Sequence, residues 1–228
     1  MQSISLFILA FNEEATLEQV TRQAWKALSR QGGDFELVVI DDGSTDKTGK
    51  IADRLSHDLE RVSVIHHGNN CGLGTGYRTA FARATKDLLT FYSADGQFSA
   101  DLLDKFLPLA QEHDMVLGYL PKRNDSLLSR ALSRVEKALF FLLFGPMPKF
   151  QGVLMFRRRL LDKIELLSPG GRPWTVLMEL IIKTKKRGYK ITSIPIEMKP
   201  RVCGRSKVNN PATIWANFKQ LFLLRLRL

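Results

Sequence analysis

The sequence predicts an α/β fold built on a mostly parallel β-sheet flanked by helices, and three observations carry that expectation. Short apolar runs alternate with helix-length segments through the first half of the chain. Polar clusters, Asn12-Glu13, Asp41-Asp42 and Asp95-Gly96-Gln97, follow three of those runs, where ligands collect beyond the strand ends of open α/β sheets. The chain has 228 residues, 44% hydrophobic and 25% charged, which is enough to bury a substantial core and is ordinary globular composition.

Taken in order, residues 4–10 read as a buried strand and 13–30 as a helix. A second strand spans 35–40 and a helix follows over 47–56, with Ser44, Thr45 or Asp46 available to cap it. Strands are expected at 62–65, 88–92 and 115–117, with helices at 72–84 and 101–111 between them, joined by right-handed crossovers. Beyond Gly118 the texture changes. Residues 127–144 and 213–228 read as apolar or amphipathic helices carrying basic residues, and 174–186 as a helix ending in a basic cluster before Gly188, a C-cap candidate. Residues 191–198 read as a strand whose Pro195 argues for the sheet edge. No repeat, linker or low-complexity segment divides the chain, so a single domain over 1–228 is expected.

Charge separates two halves of that domain. Residues 1–114 hold 11 Lys/Arg and 17 Asp/Glu, a net −6, whereas residues 115–228 hold 23 and 6, a net +17. Such a split points to a partner bearing anionic groups: phosphates, an anionic lipid surface or nucleic acid. No nucleic-acid reader motif accompanies the charge, which argues against the last. The two cysteines, Cys71 and Cys203, have no metal-type spacing and fit a reducing compartment. Residues 3–10 lack the basic flank of a signal peptide, and no apolar run approaches the roughly 20 residues of a membrane span, so a soluble or peripheral protein is expected.

Each polar cluster has a plain reading beside a functional one. Asn12-Glu13-Glu14 suits a helix start, where acids favour the macrodipole. Asp41-Asp42-Gly43-Ser44 suits a turn with a cap, or a pair of carboxylates receiving a nucleobase N–H or a ribose hydroxyl. The glycines of Gly72-Leu73-Gly74-Thr75-Gly76 lack the full dinucleotide fingerprint and follow the third strand; they suit either a structural turn or a helix that approaches the sheet or a nucleotide closely. Asp95 and Gln97 offer two oxygen ligands to Mg²⁺ or Mn²⁺, with Asp95 as a cap for the next helix the alternative. His66 and His67 read as strand-end surface residues with no third partner for a metal.

Together and in this order, Leu9-Ala10-Phe11-Asn12-Glu13, Val39-Ile40-Asp41-Asp42-Gly43-Ser44-Thr45-Asp46, Asn70-x-Gly72 and Ala94-Asp95-Gly96-Gln97 resemble the family 2 inverting glycosyltransferases of the GT-A fold, above all the dolichyl- and polyprenyl-phosphate mannose and glucose synthases. The likeness continues through Gly118 to Asp125 with Arg130 and Ser133, resumes over Gln151 to Arg157, and ends at Ile194-Pro195-Ile196 and Arg201 to Lys207, so it spans nearly the whole chain. It implies a GT-A, Rossmann-like sheet with amphipathic C-terminal helices, a nucleotide-sugar-binding half over 1–114 and a basic acceptor- and membrane-facing half over 115–228. Phe11, Glu13, Val39, Asp41 and Asp42 would meet the base and ribose; Ala94, Asp95 and Gln97 would meet the diphosphate, with Asp95 and Gln97 holding Mg²⁺ or Mn²⁺. Lys122, Arg123, Arg130, Arg201, Ser206 and Lys207 would bind the acceptor phosphate and the departing diphosphate, so that Asp95, Arg130 and Arg201 form the catalytic set. The donor would be of the GDP-mannose or UDP-glucose type and the acceptor a polyprenyl or dolichyl phosphate.

Three departures from the family pattern stand out. Ser93 replaces the first Asp of Asp-x-Asp and weakens the expectation of tight metal binding; Leu120 replaces an Arg, with Lys122 or Arg123 as substitutes; and Gln151-Gly152-Val153-Leu154 stands where the family has Ser-Gly-Phe-Arg, which alters the expected acceptor-side contacts. A phosphate monoester is ionised near neutral pH and attacks without a general base, so the reaction reduces to alignment and to neutralising the departing diphosphate, with inversion at the anomeric carbon. The basic half suggests peripheral attachment to the cytosolic face of a membrane, through residues 127–144 and 213–228, alone or with an integral membrane partner. A non-lipid acceptor and a catalytically weak nucleotide-sugar-binding relative are the competing readings.

Overall fold

The computed structural model describes residues 2–121, 141–168, 175–200, 219 and 222–226. Within them, seven strands form one sheet in the order β3-β2-β1-β4-β6-β5-β7. The first part alternates β1 (Ile4–Ala10), α1 (Leu17–Arg30), β2 (Phe35–Asp41), α2 (Thr48–Asp58), β3 (Val62–His66), α3 (Leu73–Arg83), β4 (Leu88–Ser93), α4 (Leu102–Glu112) and β5 (Met115–Tyr119). There follow β6 (Leu154–Arg157), α5 (Arg159–Lys163), α6 (Thr175–Lys186) and β7 (Ile191–Pro195). The expected mostly parallel α/β sheet is present, with one exception. β6 runs antiparallel between β4 and β5, and the other pairs are parallel.

The central strands are apolar on both faces because both faces are covered. Along β1, Leu6 and Ile8 join the core beneath α1 and α4, while Phe7 joins the opposite core under α3 and α6. β2 repeats the pattern, with Leu37 and Val39 on one side and Val38 and Ile40 on the other. An aromatic cluster binds β6 to the parallel part: Phe91 stacks on Phe7 at 5.8 Å and on Phe156 at 6.3 Å, and Tyr77 of α3 meets Phe91 edge-on at 5.0 Å. Such contacts contribute about 0.5–1.5 kcal/mol each beyond simple burial.

Several expected boundaries shift for identifiable reasons. α1 begins at Leu17 instead of residue 13, because the N–H groups of Asn12, Glu13 and Glu14 donate to Ser44, Thr48 and Asp46 in the β2–α2 loop and the start of α2. Of the three cap candidates before α2, Asp46 takes the helix N–H, its Oδ1 accepting from Thr48 at 2.9 Å. β7 is an edge strand as expected but stops at Pro195, short of residue 198. Gly188 adopts the left-handed conformation (φ 74°) that ends α6. β6 and α5 were not anticipated as elements. Most of the segments 127–144 and 213–228 lies outside the described residues; residues 141–144, 219 and 222–226 are helical, as expected.

Candidate functional site

β2, β1 and β4 are adjacent in the sheet and parallel, so their carboxyl-end loops emerge side by side. That register unites three of the polar clusters that lie far apart in sequence: Phe11 to Glu14, Asp41 to Asp46 and Ser93 to Gln97. The first two are laced together. Asn12 takes a left-handed conformation (φ 52°), its N–H donates to Ser44 Oγ at 2.9 Å, and its Oδ1 accepts from the Thr45 N–H at 2.8 Å. Glu14 completes the lacing by accepting from the Lys47 N–H at 3.0 Å.

The tandem aspartates at the end of β2 are held by the tandem histidines at the end of β3. Asp41 is 4% exposed; its Oδ1 accepts from the Ser44 N–H at 3.1 Å and its Oδ2 lies 3.0 Å from His66 Nδ1. The other His66 nitrogen faces Asp53 Oδ1 at 2.9 Å, and the bonds to Asp53 and to Asp41 hold the imidazole pKa above its ordinary value. Asp42 Oδ1 meets His67 Nδ1 at 2.7 Å and accepts from the Cys71 N–H at 3.0 Å; its Oδ2 accepts from the Gly72 N–H at 2.8 Å. His67 Nε2 reaches Thr79 Oγ1 on α3 at 2.9 Å. The histidines are therefore not idle surface residues. Asp42, His67 and Cys71 each offer a ligand atom within 4.8 Å of the others, but the Asp42 and His67 atoms are bonded to one another, and the group acts as a clasp on the loop entering α3.

Glycines let these loops touch. A Cβ on Gly43 (φ +69°) would sit 2.3 Å from the Asn69 carbonyl carbon, and one on Gly76 would sit 3.3 Å from Leu9 Cδ2. The second contact realises the close approach of helix to sheet expected of the Gly72–Gly76 run.

At the end of β4, Asp95 is 3% exposed and its Oδ1 accepts from the Gln97 N–H at 3.1 Å, closing a tight turn through Gly96 (φ 72°). The carboxylate caps this turn and not α4, which starts at Leu102. Asp95, Gln97 and Ser93 together present carboxylate, amide and hydroxyl oxygens, a hard donor set suited to Mg²⁺ or Mn²⁺ when a diphosphate supplies further oxygens. Because β6 is antiparallel, its starting end reaches the same rim. The Gly118 N–H donates to Val153 O at 2.8 Å, the Gln151 N–H to Gly118 O at 2.7 Å, and a Cβ on Gly152 would lie 2.6 Å from Phe98 Cζ. The strap after β7 arrives there too, with the Lys199 N–H donating to Gln97 O at 2.8 Å.

The family profile described as Glycosyl transferase family 2 matches residues 5–165. The chain belongs to that family. Among curated relatives, the glycosyltransferase is 27% identical to polyprenol monophosphomannose synthase of Mycolicibacterium smegmatis, over 96% of this chain and 85% of that protein. It is 26% identical to dolichol-phosphate mannosyltransferase of Pyrococcus furiosus, over 97% of this chain but 63% of the relative. Among solved structures, glucosyl-3-phosphoglycerate synthase from Mycobacterium tuberculosis with uridine diphosphate superposes with a TM-score of 0.73 at 21% identity, over 98% of this chain and 80% of that one. The same enzyme with Mn²⁺, uridine diphosphate and phosphoglyceric acid gives 0.72, at 21% identity over 98% and 78% of the two chains. These structures establish the shared fold.

Of the expected donor residues, Phe11, Glu13 and Gln97 are half-buried, while the side chains of Val39 and Ala94 are fully buried in the core beneath α1 and α4. Lys122, Arg123, Arg130, Arg201, Ser206 and Lys207 lie outside the described residues. Sequence reasoning missed Thr48, His66 and His67. The signal was present as two tandem pairs, Asp-Asp and His-His, closing consecutive strands.

Proposed function

We propose that this glycosyltransferase moves one sugar from a nucleotide-sugar to a polyprenyl phosphate with inversion. The observation that carries the reading is the meeting of the β1, β2 and β4 loops at one rim of a family 2 chain. Likeness along almost the whole chain to a polyprenol monophosphomannose synthase supports the acceptor class.

In this reading Asp41, with Phe11 and Glu13 beside it, receives the nucleoside, and Asp42 keeps the 70–72 loop closed over it. Asp95 and Gln97 hold Mg²⁺ or Mn²⁺, which when bound neutralises charge on the diphosphate. Ser93 contributes an uncharged ligand in place of a second carboxylate. The acceptor phosphate, already ionised, is aligned by the basic segments of the second half, and no proton needs removal from it. The segment bearing Arg201, Ser206 and Lys207 begins two residues after Lys199, which is anchored on Gln97, and this favours its action beside the diphosphate. We read the halves 1–114 and 115–228 as donor and acceptor sides of one domain.

No helix among the described residues is long and apolar enough to cross a membrane. Phe222 and Leu226, one helical turn apart, are 57% and 71% exposed, and Phe141 and Leu142 are also exposed. Beside a net +17 charge these residues favour peripheral docking on an anionic, cytosol-facing membrane surface.

The test incubates the purified chain with GDP-mannose or UDP-glucose, Mn²⁺ and vesicles carrying polyprenyl phosphate, with phosphoglyceric acid as a competing soluble acceptor. A glycosylated lipid is expected, with activity lowered about 10²- to 10³-fold in Asp95→Asn. Transfer to phosphoglyceric acid alone, or to neither acceptor, overturns the reading.

A further inference from the structure

His66 sits between two carboxylates that no local sequence pattern links. It is the ladder partner of Asp41, so the fold places the ring across the end of β2. Nδ1 lies 3.0 Å from Asp41 Oδ2 and Nε2 lies 2.9 Å from Asp53 Oδ1. An ionised carboxylate only accepts hydrogen bonds, so both contacts are attractive only when both ring nitrogens donate, that is, in the imidazolium. A neutral ring turns a lone pair toward one of the two carboxylates. Asp41 from β2 and Asp53 from α2 are the charged groups that meet the ring from the elements packed on it.

Gly49 on α2 makes room for this bridge. A Cβ there would lie 2.9 Å from Asp41 Oδ2 and 3.5 Å from His66 Cε1. The residue is helical without a positive φ, a place where alanine is ordinarily the better residue. Glycine here therefore serves the bridge and not the helix.

We propose that His66 is a positioning residue for the donor's nucleoside: as an imidazolium shared with Asp53 across Gly49, it fixes the Asp41 carboxylate in its receiving orientation. The proposal rests on the reading above that Asp41 meets the nucleoside. With Oδ2 held by the ring and Oδ1 by the Ser44 N–H, the carboxylate plane cannot turn, and each oxygen keeps a second lone pair for a donor N–H or O–H. Loss of the ring proton releases one of the two bonds and sets a lone pair against a carboxylate. The raised imidazole pKa places that loss above the ordinary histidine range.

The experiment is calorimetric titration of the full chain with GDP-mannose and with UDP-glucose from about pH 6 to 8.5, where their diphosphates do not titrate. Donor affinity is expected to fall as pH rises, by about tenfold overall, the size of one charge-assisted hydrogen bond. His66→Asn is expected to bind about tenfold more weakly at the acid end and to lose the pH dependence. Asp53→Asn is expected to keep acid-end affinity while the fall moves to lower pH, matched by a lower titration midpoint of the His66 ring protons in NMR. Gly49→Ala is expected to weaken donor binding without loss of thermal stability, and in turnover to raise KM more than kcat falls. Donor binding that is independent of pH, or unaltered in Asp53→Asn and Gly49→Ala, overturns the role of His66 and leaves the donor site standing. Absence of donor binding by the unaltered chain at every pH removes the donor site, and the proposal with it.

Discussion

The acidic and basic halves of the chain fasten their loops with opposite chemistries. At the rim formed by the β1, β2 and β4 loops carboxylates accept from backbone N–H groups: Asp41 from Ser44, Asp42 from Cys71 and Gly72, Glu14 from Lys47 and Asp95 from Gln97. Around β6 and α6, cations donate to backbone carbonyls: Arg157 to Ala110 and Gln111, Lys183 to Glu165, and Arg78 of α3 to Leu166 and Ser168. In both places charged side chains satisfy main-chain groups that have no partner in a helix or strand. Among the described cations of residues 115–228, Arg157 and Lys183 have donors committed in this way, although their charge remains because a carbonyl is neutral. At the rim, acids that look like ligand groups are partly the mortar of the site.

The strongest way to break this contrast is at an inversion of it, Glu179, a fully buried acid within the basic half. Burial pushes its carboxyl up, but Lys183 and the Leu167 and Ser168 N–H groups outweigh burial and hold it below the usual range. Glu179→Leu strands a half-buried lysine and two N–H groups and is expected to cost about 3–5 kcal/mol in urea unfolding. A depressed folded-state pKa gives stability that is full above the unfolded value and lost as pH falls through the folded one. Glu179→Gln is therefore expected to flatten the acid side of the stability profile. At the rim, Asp42→Ala frees two N–H groups and His67 at once; about 2–3 kcal/mol of stability and a raised donor KM are expected, measured by denaturation and initial rates. Gly43→Ala sharpens the contrast without touching charge. With φ at +69° and Asn69 in the way, it is expected to cost about 1–3 kcal/mol and to raise donor KM through the displaced loop. Smallest of all, Glu18→Gln removes the exposed bridges to Arg22 and Arg54 and is expected to shift stability by at most about 0.5 kcal/mol.

How much of this was legible in the sequence follows from where each signal resides. β1, β2 and β4 were readable because burial on both faces leaves unbroken apolar runs, and the rim clusters were readable because they punctuate those runs. The start of α1 was not, since the N–H groups of residues 12–14 are claimed by residues 44–48, a choice made in three dimensions. β6 escaped because Leu154–Arg157 is only four residues long and its sense depends on the long connection before it. The histidine pair escaped because its aspartates lie 25 residues away and meet it only through the β2–β3 register. Among the expected site residues, Asp41 and Asp42 end β2 and Asp95 and Gln97 follow β4, loops that strand order brings to the same end of the sheet, and Asp42 is committed to the 70–72 loop.

The antiparallel strand has a consequence for how the molecule is assembled in time. Thr90 of β4 pairs with Met155, and Val116 of β5 pairs with the same Met155, so a slot one strand wide must stay open between β4 and β5 until β6 is available. A chain truncated after β5 would carry two unfilled edges facing each other, each a template for wrong pairing. Closing the slot joins residues as far apart in sequence as Leu88 and Arg157 on the β4 side and Met115 and Phe156 on the β5 side, a late and entropically slow event. By charge the chain divides into an acidic half and a basic half, but mechanically neither half is finished until β6 slides home.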